Sequence, residues 1–101
     1  EVQSFDVKVT VIEEVDRLLP KITALNPDVL VVSADHSTPA ILGGHSWHPV
    51  PTLLQAKFAR VDDVATYDEY ACNRGSLGLR PAVHLMGLAL GHARRLRKYG
   101  A

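Results

Sequence analysis

Between Phe5 and Leu25 the apolar residues Val11, Ile12, Val15, Leu18, Leu19, Ile22 and Leu25 recur at steps of three and four. That spacing predicts an amphipathic helix. Ser4 or Asp6 is placed to cap its start. Glu13, Glu14, Asp16, Arg17 and Lys21 fill the other face as a solvated surface. Pro20 falls inside the pattern and predicts a kink there or an end just before it, because its ring removes a donor and meets the carbonyl one turn back. Asn26-Pro27-Asp28 reads as a turn. A continuous run, Val29 to Val32, then predicts a short strand covered on both faces, the habit of parallel sheets.

The next stretch, STPAILGGHSWHP, is punctuated by two glycines and two prolines and reads as a loop. Pro51 to Phe58 is a second strand candidate. A polar, turn-rich segment follows, with a short helix expected near Asp68 to Cys72. Pro81, at a first helical position, opens a last helix running to about Lys98. Its apolar residues are Val83, Leu85, Met86, Leu88, Ala89, Leu90, Ala93 and Leu96. Arg94, Arg95, Arg97 and Lys98 are expected in its final turn, where cations suit the helix dipole. Helix, turn and strand form half of an α/β crossover. Two strands do not complete a parallel sheet, so the sheet is expected to be incomplete: either residues 1–101 are part of a larger domain or they assemble with something else.

Composition narrows the function. With 11 basic and 11 acidic residues the formal net charge is zero, which argues against a nucleic-acid binder. No run of 18 apolar residues is long enough to span a membrane. The start, EVQSFDVKV, lacks the basic and apolar regions of a signal peptide. It also lacks Met and runs straight into a helical pattern, so further chain is expected upstream. Cys72 is the single cysteine; it fits a reducing compartment and reads as a small half-buried residue.

Candidate chemistry concentrates after the first strand. In open α/β sheets ligand sites lie beyond the carboxyl ends of strands, where Asp35 and His36 stand. Asp supplies a hard oxygen and neutral His a borderline nitrogen, a donor set for a divalent ion. His45, on the next loop, is placed to approach the same point. Asp-His-Ser at a loop start is equally a good turn or helix cap, so the residues alone leave both readings open. His45 and His48 flank Trp47 and are able to pack on it. His84 and His92 lie eight apart on the last helix, too far for one ion, and read as structural. No nucleophile elbow and no Gly-rich phosphate loop is present.

Four segments taken together carry a resemblance: KVTVIEEVDRLLP, PDVLVVSADHSTPAILGG, HSWHPVPTLL and GSLGLRPAVHLMGLALGHARRLRKYGA. In that order and spacing they resemble the C-terminal metal-binding segment of the archaeal-type cofactor-independent (2,3-bisphosphoglycerate-independent) phosphoglycerate mutases of the alkaline phosphatase superfamily. The resemblance covers nearly the whole chain. It implies the C-terminal part of an alkaline-phosphatase-like three-layer α/β/α sandwich. It implies a cytoplasmic isomerase of glycolysis and gluconeogenesis that interconverts 3-phosphoglycerate and 2-phosphoglycerate through a phosphoserine, using two divalent ions (Mn²⁺, Mg²⁺, Co²⁺ or Zn²⁺). By carry-over, Asp35 and His36 resemble the pair on the ion that also holds the nucleophilic serine, and His45 a ligand of the second ion. Ser37 and Thr38 are candidates to hydrogen-bond Asp35 or to satisfy the turn.

The serine, the remaining ligands and the substrate-clamping domain of that family are not in this sequence. No catalytic residue is therefore expected here, and this chain alone is expected to be inactive and to self-associate through uncovered apolar faces. Two other readings stay open: a free-standing divalent-metal-binding or interaction module, and a phosphatase or phosphonate-handling relative in the same superfamily.

Overall fold

The computed structural model describes residues 5–97. Ser4 and Lys98, named above as a cap and a helix end, lie outside the described residues. The elements in chain order are α1 (Phe5–Thr23), β1 (Val29–Val32), β2 (Leu53–Ala56), α2 (Glu69–Cys72), a single 3₁₀ turn (Ala82–His84) and α3 (Leu85–His92). They fall into two compact units. One holds α1 and the segment Asp35–Pro49; the other holds Asp28–Ala34 and the chain from Val50 onward.

In the first unit, α1 follows its periodicity but does not stop at Pro20. The helix runs through to Thr23. Proline's fixed φ is compatible with a helix, and near the end of one it forfeits a single hydrogen bond. The last turn is carried by the Ala24 amide, which donates to the Pro20 carbonyl at 3.0 Å. Asn26, at φ 54°, then ends it in the left-handed conformation that Asn tolerates, and Pro27 blocks continuation. The apolar stripe of α1 is uncovered: it has no buried residue, and Val11, Ile12 and Val15 are all more than half exposed.

In the second unit, β1 and β2 pair in antiparallel fashion, Val29 with Ala56 through Val32 with Leu53. The expectation of a parallel partner is thus corrected. A continuous apolar run reports cover on both faces, and all four β1 residues are half-buried, but it carries no information on strand direction. The second strand is also shorter than the stretch expected from Pro51 to Phe58, because pairing lasts only as long as β1. Just beyond that register, the Ser33 and Thr52 hydroxyls meet at 2.8 Å. The Tyr67 hydroxyl clasps the same end, donating to the carbonyls of Pro51 (2.9 Å) and Val32 (3.4 Å). Partial burial raises its pKa above the usual tyrosine value, with a smaller contribution from Cys72.

The short helix appears where expected. Asp68 caps α2 by accepting from the Ala71 amide at 2.7 Å, and Ala71 is buried. Asp62 organises the adjoining loop, accepting from the Val64 amide (3.1 Å) and from the Ser76 amide (2.9 Å) and hydroxyl (3.2 Å). These bonds lower the pKa of both aspartates: for Asp62 the Ser76 amide acts most, and for Asp68 the Ala71 amide.

The last helix is shorter than its apolar pattern predicts. Pro81 precedes the 3₁₀ turn, and α3 ends at His92. The Arg95 amide donates to the Leu90 carbonyl (2.9 Å) and the Arg94 amide to the Gly91 carbonyl (3.0 Å). This pair of bonds is a Schellman motif, with Arg94 in the left-handed position at φ 62°. Arg94, Arg95 and Arg97 therefore lie beyond the helix rather than in its final turn. α3 packs against β1.

Candidate metal centre

The site is built within the first unit. Residue 37 acts as its pin: Ser37 is 8% exposed and forms an isolated antiparallel bridge with Ser46, whose amide donates to the Ser37 carbonyl at 2.9 Å. Between them the chain turns back on itself. The Leu42 and Gly43 amides both donate to the Pro39 carbonyl at 3.1 Å, and Gly43 takes φ 62°, a conformation glycine adopts without steric cost. In antiparallel register the bridge sets residue 38 opposite residue 45. From α1, Lys8 Nζ donates to the Thr38 carbonyl and ties this loop to the helix.

The three residues singled out from the sequence meet there. Asp35 Oδ2 lies 3.2 Å from His36 Nε2, and Asp35 Oδ1 accepts from the His36 amide at 3.0 Å. The His36 and His45 rings stand 3.6 Å apart between centroids, tilted by 46°. Thr38 Oγ1 sits between them, 3.2 Å from His36 Nδ1 and 2.9 Å from His45 Nδ1. The carboxylate of Asp35 is open to solvent, with its side chain 86% exposed, and His36 is half as exposed at 42%.

Two sequence expectations change here. Thr38 engages the histidines rather than Asp35, and Ser37 serves the bridge. His45 lies against the His36 ring. His48 does lie on Trp47, with centroids 4.9 Å apart, and its Nδ1 meets Ser46 Oγ at 2.7 Å. His92, in the other unit, donates from Nδ1 to the Leu88 carbonyl one turn back at 2.8 Å, a structural role. The part Thr38 plays was missed because a hydroxyl two residues past one histidine and seven before another acquires two partners only when the loop folds back.

The donor set fits a divalent cation in kind: one carboxylate oxygen and two imidazoles whose Nδ1 atoms are both engaged by Thr38. Nε2 is then the nitrogen through which either ring would ligate. Among the described residues no three His, Cys, Asp or Glu side chains already converge as a complete site. The fit rests on the pairs Asp35–His36 and His36–His45.

Residues 2–92 match the profile of the metalloenzyme superfamily. The chain belongs to that superfamily. A Thermosipho africanus protein named "probable 2,3-bisphosphoglycerate-independent phosphoglycerate mutase" is 55% identical over 98 residues, covering 97% of this chain and 24% of the relative. A Thermus thermophilus protein of the same name is 53% identical over the same shares. The chain thus spans about a quarter of the length of the curated relatives it matches, in their C-terminal part. A solved structure from Pyrococcus horikoshii superposes with a TM-score of 0.85 at 31% identity, over 93% of this chain and 29% of that one. The architecture is that of the alkaline-phosphatase-like α/β fold, of which this superfamily segment carries a two-stranded part. No helix among the described residues is long and apolar enough to cross a membrane.

Proposed function

We propose that this segment supplies Asp35, His36 and His45 to a two-cation site in a cofactor-independent phosphoglycerate mutase. The reaction would interconvert 3-phosphoglycerate and 2-phosphoglycerate by way of a phosphoserine formed on a residue outside this sequence. The carrying observation is the meeting of His36 with Asp35 on one side and His45 on the other, in a chain about half identical to proteins bearing that name. Divalent ions bound there would neutralise phosphoryl charge and favour the deprotonated form of an attacking oxygen. Phosphoryl transfer needs such neutralisation and alignment more than covalent help. Mn²⁺, Mg²⁺, Co²⁺ and Zn²⁺ all suit the mixed oxygen and nitrogen donors.

The residues of this chain would hold and orient. Asp35 brings the charge, His36 and His45 bring directed lone pairs, and the Ser37–Ser46 bridge fixes their spacing. A catalytic serine and further ligands would come from elsewhere in a cytoplasmic glycolytic enzyme, so the 101-residue segment by itself would not turn over substrate.

The test is mutase assay and Mn²⁺ calorimetry on the full gene product and its Asp35→Ala and His45→Ala variants, with the isolated segment alongside. Loss of both Mn²⁺ binding and turnover in the variants, with unchanged melting, is expected. Full activity in either variant, or turnover by the isolated segment, would overturn this reading.

A further inference from the structure

Along α1 the apolar residues Val7, Val11 and Ile12 are exposed, whereas Lys8 is half-buried. A lysine ordinarily keeps its ammonium in water. Here Nζ donates to the Thr38 carbonyl, 30 residues along the chain and within the same compact unit. That carbonyl has a particular place in the loop. It belongs to the peptide joining Thr38 to Pro39, and proline has no N–H. The carbonyl is therefore the one hydrogen-bonding group by which this peptide can be held. The carbonyls on either side are held from within the loop. Ser37 accepts from the Ser46 amide at 2.9 Å, and Pro39 from the Leu42 and Gly43 amides at 3.1 Å. The Lys8 bond comes from outside, from a helix. The side chain of the same threonine lies 3.2 Å from His36 Nδ1 and 2.9 Å from His45 Nδ1. Thr38 thus has its backbone tied to α1 and its hydroxyl against both histidines.

We infer that Lys8 is a positioning residue: through the Thr38 carbonyl it pins the histidine-bearing loop to α1 and keeps the loop folded back before any cation arrives. A loop already held in its binding form loses less freedom on binding, and affinity gains by that difference. The tether itself is independent of the metal-site reading; its effect on cation affinity rests on that reading. The two roles open to a lysine near a cation site have opposite signs. As a charge, Lys8 would repel the cation, and its removal would tighten binding. As a tether, its removal weakens binding.

The experiment uses the full gene product as wild type, Lys8→Met and Lys8→Arg. Methionine keeps an unbranched stem and removes the donors; arginine keeps donors and charge at similar reach. In metal-free protein, hydrogen-exchange protection at the Ser46 amide should fall in Lys8→Met and return in Lys8→Arg. Protection within α1 and at the Ala71 amide should stay as in wild type. Calorimetry with Mn²⁺ should show Lys8→Met binding about 10-fold more weakly, the lower end of the loss when a group that orients a ligand is removed, and Lys8→Arg close to wild type. Unchanged Ser46 protection, tighter Mn²⁺ binding by Lys8→Met, or a uniform loss of protection that includes α1 and Ala71 would each overturn the inference. If Ser46 responds as expected but wild type itself binds no Mn²⁺, the tether stands and it is the metal-site reading that fails.

Discussion

The Arg94 guanidinium stands 5.2 Å from the centroid of the Phe58 ring while its own backbone is held at φ 62°. The two facts belong together. A left-handed non-glycine residue costs about 1 kcal/mol, and a cation over an exposed aromatic face returns about 0.5–1 kcal/mol. Here the position after α3, which normally favours glycine, is occupied by a residue that reaches across to Phe58.

The order of destabilisation at this position is therefore predictable. Arg94→Gly relieves the backbone and loses the ring contact, so it should lie within about 0.5 kcal/mol of wild type. Arg94→Ala loses the contact and keeps the strain, so it should be the less stable of the two. Urea denaturation of the full gene product checks this, and equal midpoints for the two variants would contradict it.

Tyr67 joins the end of β1 to the start of β2 through its hydroxyl. Tyr67→Phe removes that clasp and should cost about 1 kcal/mol. The pH dependence has a definite sign. With its pKa raised by burial, Tyr67 contributes stability that is fully present below the usual tyrosine value and is lost as pH rises through the folded value. Alkaline unfolding should accordingly lose part of its steepness in Tyr67→Phe. Superimposable alkaline curves would argue against the clasp.

Asp62 and Asp68 work in the acid direction. Hydrogen bonds from backbone amides depress both. Their contribution is present above the ordinary aspartate value and is lost as pH falls through the folded values. Hydrogen-exchange protection at the Ser76 and Ala71 amides, relative to the intrinsic rate at each pH, should fall in that acid range. Asp62→Asn should weaken protection at Ser76 and leave Ala71 unaffected, and Asp68→Ala the reverse. A common response at both amides would show that the loops do not titrate independently.

The uncovered apolar stripe of α1 predicts that the isolated segment self-associates. In sedimentation it should run larger than 11.0 kDa, and the double change Ile12→Glu, Val15→Glu should return it toward a monomer. A concentrated wild-type segment that sediments as a monomer would remove the basis for that expectation.

Apolar spacing located α1, a continuous apolar run located β1, and the short helix near Asp68 to Cys72 appeared where it was expected, all from local signals. Local logic was less decisive at two helix ends. Pro20 reads as a kink or a stop, and the helix does not stop there. Arg94 reads as part of a cationic last turn, yet it occupies the left-handed position beyond α3 with its side chain over Phe58. Strand direction was also illegible, because Val29–Val32 reports cover and not orientation.

The candidate site divides along the same line. The sequence by itself determined which donors are present, Asp35, His36 and His45, because side-chain chemistry is fixed residue by residue. That they lie together was decided by the turn at Gly43 and the Ser37–Ser46 bridge, and that Thr38 is shared between two histidines by the distance this bridge imposes. A hydrogen bond depends on separations of tenths of an ångström, which only the folded backbone sets.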